Sequence, residues 1–119
     1  MAFRIKRTIQ LALAATALAA ACAATAQGFP SKPVSIIVPF AAGGPTDVVA
    51  RLIAVPMGKA LGQTVIVDNA VGAGGTIAAA KTARAPHDGH TIFLHHMGMS
   101  TAPALYRKLA FDPLKDFEY

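Results

Sequence analysis

Three short stretches of this 119-residue chain carry residue types able to hold a small anion. The first is Phe40-Ala41-Ala42-Gly43-Gly44, followed by Pro45-Thr46-Asp47. The second runs from Asn69 to Gly75, with glycine at 72, 74 and 75, and is followed by Thr76. The third is His95 to Thr101, which includes Ser100. Glycine adopts positive φ without strain and lets the main chain approach a ligand closely. The first two stretches stand directly before predicted helix starts, where unpaired N–H groups form a partial positive charge. That combination suits a carboxylate or a phosphate, and Thr46, Thr76, Ser100 and Thr101 add neutral hydroxyls. Glycines after strands also serve as plain tight turns, and the residues alone leave both readings open for each loop.

Other chemistries lack their parts. In Gly72-Ala73-Gly74-Gly75 the third glycine of a dinucleotide fingerprint would fall at Ile77, and no Gly-Lys-Ser/Thr run or G-x-S-x-G elbow occurs. His87, His90, His95 and His96 invite a metal reading. Adjacent side chains at a strand end point apart, however, and no acidic third ligand is obvious, so packing histidines in loops are expected. Asp47 has no partner nucleophile and reads as favouring the helix start or touching polar groups of a ligand. No catalytic residue, metal, nucleotide or other cofactor is implied. The net charge of +5 suggests nucleic acid at first sight, but Arg4, Lys6 and Arg7 account for much of it. From Gln27 onward eight basic residues face six acidic ones, and no basic stripe remains to track phosphates.

The elements that must position these loops alternate. Val34–Val38 is a β-branched, uncharged run between Pro33 and Pro39, the signature of a strand buried on both faces of a parallel sheet. A helix is predicted over Pro45–Leu61, with Pro45 at its first position, Asp47 in its first turn and Gly62 as its stop. Val48, Val49, Leu52, Ile53, Ala60 and Leu61 form its apolar stripe, and Pro56 should kink it near Leu52–Ile53. Thr64–Asp68 reads as a second strand, Thr76–Arg84 as a second helix closed before Pro86, and Asp88-Gly89 as a turn. Thr91–Leu94 reads as a third strand, His95–Thr101 as a loop and Pro103–Arg107 as a helical turn. Asp112–Tyr119 reads as a loop leading into a further strand. The β-α-β-α-β order argues for an α/β layer with right-handed crossovers, in which ligands bind beyond the carboxyl ends of the strands.

Residues 1–26 read as an export signal. Basic residues up to Arg7 precede an uncharged Ala- and Leu-rich run, and Ala24-Thr25-Ala26 has the small-x-small form of a cleavage site. A retained anchor and lipid attachment at Cys22 are the alternatives, although Ala19 stands where a lipid site favours a larger aliphatic residue. Cleavage after Ala26 would remove the single cysteine and leave residues 27–119 in an oxidising compartment without a disulfide.

Taken in order, Pro39-Phe40-Ala41-Ala42-Gly43-Gly44-Pro45-Thr46-Asp47, Leu61-Gly62-Gln63, Val65-Ile66-Val67-Asp68-Asn69, Gly72-Ala73-Gly74-Gly75 and Pro86-His87-Asp88-Gly89-His90-Thr91 resemble the Bug family. Its members are extracytoplasmic solute receptors of tripartite tricarboxylate transporters. Pro103-Ala104-Leu105-Tyr106, Phe111-Asp112-Pro113 and Lys115-Asp116-Phe117 extend the match across Phe29–Tyr119. The resemblance implies a periplasmic-binding-protein lobe of type II-like α/β fold, of which residues 27–119 would supply the first part of domain 1. It implies two lobes closing on a hinge around a carboxylated solute, with membrane permease subunits as partners. It also implies that the solute is held by main-chain and hydroxyl groups of the first-domain loops, Phe40–Gly44 with Thr46 and Asp47, Gly72–Gly75 with Thr76, and Ser100.

This chain departs from the family pattern in places. Ala70-Val71 replaces the usual Arg-Pro, Ala102 replaces an Asn, and His95-His96-Met97 replaces smaller, hydroxyl-rich residues. Two further readings stay open: a truncated, non-functional piece of such a receptor, and an α/β enzyme with its catalytic residues elsewhere.

Overall fold

The structure is a computed structural model and describes residues 28–119. The export-signal reading, with Cys22 and the cleavage site, falls on residues outside that range. Contacts group Lys32–Tyr119 as one unit and the chain through Ser31 as another, of which only residues 28–31 are described.

Three parallel strands form the sheet: β1 (Val34–Val38), β2 (Val65–Asn69) and β3 (Thr91–Phe93), in the order β2-β1-β3. Val34 pairs with Val65 and Val38 with Asn69 on one side of β1; Ser35 pairs with Thr91 and Ile37 with Phe93 on the other. The central place of β1 explains its composition. Both of its faces are covered, and Val34, Ile36, Ile37 and Val38 are all buried. β2 sits one residue later than Thr64–Asp68. Ala70 N–H still donates to Val38 O at 2.9 Å beyond the end of the strand, which carries the ladder through Asn69.

Helix α1 (Pro45–Leu61) follows β1 and α2 (Thr76–Ala83) follows β2. The bounds of α1 are those that the sequence predicts. Gly44 is its extended N-cap, Pro45 opens it, and Gly62, at φ 64°, closes it with its N–H on Gly58 O. The helix runs without a break across Pro56. With strand order β2-β1-β3, right-handed crossovers place α1 and α2 on opposite faces of the sheet.

The inner face of α1 is not the expected one. Val48, Val49, Leu52 and Ile53 are exposed, Leu52 at 70%, while Ala50 is fully buried against Ile36 and Val38, with Ala54 and Met57 packed beside it. Two apolar stripes share this helix, and the one with small side chains lies against the sheet. A Cβ on Gly58, on that same side, would stand 3.1 Å from Gln63 O and 3.7 Å from Val65 Cγ2. Close approach of helix to sheet therefore decides the choice, not hydrophobicity alone.

A third helix, α3 (Gly98–Leu105), occupies most of the predicted third loop and begins five residues before the predicted helical turn at Pro103. Packing requires glycine at its start: a Cβ at Gly98 would lie 2.8 Å from His95 Cε1. Asp112–Tyr119 forms turns and adds no strand. It folds back on β3, with the Phe117 ring 5.9 Å from that of Phe93.

Candidate functional site

The loops that follow the three strands leave the same edge of the sheet, and hydrogen bonds and packing join them there. The first loop is fastened by Asp47. Its side chain is buried, and Oδ2 accepts from Gly43 N–H at 2.8 Å and from Arg51 Nε at 2.9 Å. Oδ1 accepts from Asn69 Nδ2 at 3.0 Å, and the same amide group donates to Phe40 O at 2.9 Å. Arg51 reaches on to Asn69 Oδ1 at 3.3 Å. The Arg51 hydrogen bond, then those from Gly43 and Asn69, hold the Asp47 carboxyl far below the usual carboxylate range, against the opposing effect of burial. Asp47 thus ties the loop to its own helix and to the end of β2, and every partner that it has belongs to this latch.

The latch decides which donors remain. Gly43 N–H is used by Asp47, and Gly44 N–H donates to Ala41 O at 3.2 Å. The N–H groups of Ala41, Ala42, Thr46 and Asp47 have no partner among the described residues, and neither does the Thr46 hydroxyl. Thr46 and Asp47 stand in the first turn of a 17-residue helix, where the peptide dipoles add a partial positive charge, and Ala41 and Ala42 in the loop just before its N-cap Gly44.

The second loop is shaped sterically. Gly72, Ala73, Gly74 and Gly75 have φ of 143°, 45°, 61° and 94°, and residues 73–75 form a single 3-10 turn before α2. A Cβ at Gly75 would fall 2.7 Å from His95 Nε2 and 3.1 Å from Pro39 Cβ, so this buried glycine is where the three loops meet. Tyr106 Oη donates to Ala73 O at 2.9 Å and covers the turn from the end of α3. Thr76 donates its hydroxyl proton to Ala73 O, and Ser100 donates its own to Met97 O. Thr101 donates its hydroxyl to Met97 O at 3.3 Å as well, so of the four predicted hydroxyls only that of Thr46 has no local partner among the described residues.

Two histidines complete the edge. The His95 ring lies edge-on to Phe40 and Phe93, with centroids 5.5 Å and 5.2 Å apart, and its Nδ1 accepts from His96 N–H at 2.7 Å. Burial first, then the neighbouring His96 ring, push the His95 imidazolium below the usual histidine range. His96 stacks on Phe40 at 4.6 Å and 9°. No group of three His, Cys, Asp or Glu placed to hold a metal occurs among the described residues.

Two cavities flank this edge without being lined by residues 40–44 or 72–76. One of about 550 Å³ lies between His87, Phe93, His95 and Phe117. The other, of about 780 Å³, is bounded by His96, Ser100, Phe111 and Leu114. Ser100 therefore faces the latter.

Sequence reasoning missed Arg51 and Tyr106; it placed Asn69 and His95 in the candidate loops, His95 as a packing residue, but gave neither a part in fastening them. The i, i+4 spacing of Asp47 and Arg51 was the available signal for one of these pairs. Asn69 at a strand end carried no signal without knowledge that Phe40 lay opposite.

A parallel sheet with helix N-termini and glycine-shaped loops at its carboxyl edge is an α/β layer of the kind that binds ligands beyond its strand ends. The profile of the tripartite tricarboxylate transporter family receptor matches residues 49–119. The chain belongs to that family, and within it to the Bug receptors. It is 54% identical over 89 residues to the UPF0065 protein in the TAR-I ttuE-ttuC' intergenic region of Agrobacterium vitis, covering 75% of this chain and 26% of that protein. The periplasmic binding protein BugD superposes with a TM-score of 0.73 at 53% identity, over 76% of this chain and 30% of BugD. MatC from Rhodopseudomonas palustris, with bound malate, gives 0.71 at 52% identity, over 75% and 31%. The chain spans between 26% and 36% of the length of the curated relatives that it matches.

Proposed function

We propose that residues 27–119 form the first part of domain 1 of a periplasmic receptor that captures a small carboxylate, of the dicarboxylate class, for a tripartite tricarboxylate transporter. The observation that carries this reading is the set of unpaired donors at Ala41, Ala42, Thr46 and Asp47, held open by the Asp47 latch. A carboxylate docks on those N–H groups and the Thr46 hydroxyl without needing a lysine or arginine. Gly43 and Gly44 hold the loop's shape, Phe40 forms its floor, and Gly72, Gly74, Gly75 and Thr76 form the adjoining wall. Ser100, its hydroxyl on Met97 O and its side chain toward the cavity beside Phe111, stands outside this set. Residues 1–26 direct export and are removed, and the loaded receptor delivers its solute to the membrane permease subunits. It does no covalent chemistry. The malate found in the R. palustris relative supports the solute class.

Calorimetric titration of the full-length receptor with malate, succinate, citrate and lactate tests the reading. Binding of at least one acid is expected, and Thr46→Val should weaken it about 10-fold by removing one hydrogen bond to a charged group. A receptor that takes up none of these acids, or a valine variant as tight as the parent, overturns it.

A further inference from the structure

We propose that His96 is a specificity-determining residue of this receptor, its imidazole presenting a fixed Nε2–H donor to the second carboxylate of a dicarboxylate solute. The inference rests on the carboxylate-receptor reading above and adds a side chain to a site otherwise built from main chain. His96 Nδ1 accepts from Gly98 N–H at 3.2 Å, so in the neutral ring the proton is on Nε2. Nε2 has no partner among the described residues, and the side chain is exposed. The ring is also fixed in direction. It lies flat on Phe40 at 4.6 Å and 9°, and the His95 ring stands edge-on to it at 5.0 Å.

Phe40 is not a loose support. Its carbonyl accepts from Asn69 Nδ2 at 2.9 Å, and Asn69 is itself bonded to Asp47. The latch that leaves the Ala41 and Ala42 N–H groups open therefore also fixes the backbone of the residue on which the His96 ring stacks. A donor fixed in tautomer and orientation costs little entropy when it meets its acceptor. One carboxylate seated on the main-chain donors leaves the other end of a short diacid to be read by a neighbouring group. Among the rings at this edge, His96 is the one that is both exposed and stacked on the first loop.

The test separates ring from donor. His96→Phe keeps a ring to stack on Phe40 but has no N–H; His96→Gln gives up the ring but places an amide N–H near the Nε2 position. Both are made in the full-length receptor and titrated calorimetrically with malate and with lactate, which has one carboxylate fewer. His96→Phe is expected to weaken malate binding about 10-fold and leave lactate within about 2-fold, and His96→Gln to stay within about 3-fold of the parent for malate. Equal malate affinity in parent and His96→Phe overturns the proposal. So does an equal loss for both acids, or a His96→Gln variant as weak as His96→Phe. If the unaltered receptor binds neither of these acids nor succinate or citrate, the receptor reading itself falls, a result distinct from these.

Discussion

The loops after β1 and β2 are alike in composition and different in construction. Both are short, glycine-rich and followed at once by a helix. The first is held electrostatically, by one buried carboxylate with three partners. Its glycines matter less than its latch, and the latch leaves main-chain donors unpaired. The second is held sterically, by a run of positive φ from Gly72 to Gly75 and by rings that press on it. One loop is therefore sensitive to loss of charge and the other to gain of volume.

The largest effect is expected from Asp47→Ala, which leaves Gly43 N–H, Arg51 and Asn69 without their acceptor. Thermal melting should drop by roughly 10 °C, the scale set by stranding several polar groups at once in a domain of this size. Acid titration sharpens the point. The folded-state pKa of Asp47 is depressed, so its stabilisation is fully present above the unfolded carboxylate value of about 4 and fades as pH falls toward the folded value. Asp47→Asn should flatten that acid limb in melting curves taken from about pH 5 downward. An unchanged limb would show that the latch carries no such charge dependence.

Volume is the next probe. Gly75→Ala must displace His95 and Pro39 and also holds alanine at φ 94°, so a loss of about 2 kcal/mol in urea unfolding is expected. Gly74→Ala is the milder control. Its Cβ meets only the movable Tyr106 hydroxyl, at 2.7 Å, and about 1 kcal/mol should be lost. Equal losses at the two positions would contradict the steric account. The smallest effect is expected on the outer face of α1. Leu52→Ser, at a side chain 70% exposed, should change unfolding by less than about 0.5 kcal/mol.

That last variant also marks where the sequence was legible and where it was not. Strand and helix order, the parallel sheet, the ends of α1 and the edge bearing the loops all follow from β-branched runs and from Pro45 and Gly62. Periodicity could not say which stripe of α1 turns inward, because Val48, Val49, Leu52 and Ile53 outscore Ala50, Ala54 and Gly58 in hydrophobicity while the small residues win on fit. His95–Thr101 reads locally as a loop, and only the close approach of the His95 ring to Gly98 shows why a glycine stands where α3 begins. The Asp47 latch joins residues 22 apart through Asn69, a distance over which no local pattern carries information.

The Asp47 latch has an evolutionary corollary. In the proposed site, a grip made of main-chain groups at Ala41 and Ala42 would impose no letter at either position. Descendants of such a receptor can diversify those side chains, and with them the solutes that they admit, while inheriting the grip intact. What selection must guard is the remote carboxylate that holds the frame, so drift at the contact positions and constancy at Asp47 should be the historical trace of this architecture.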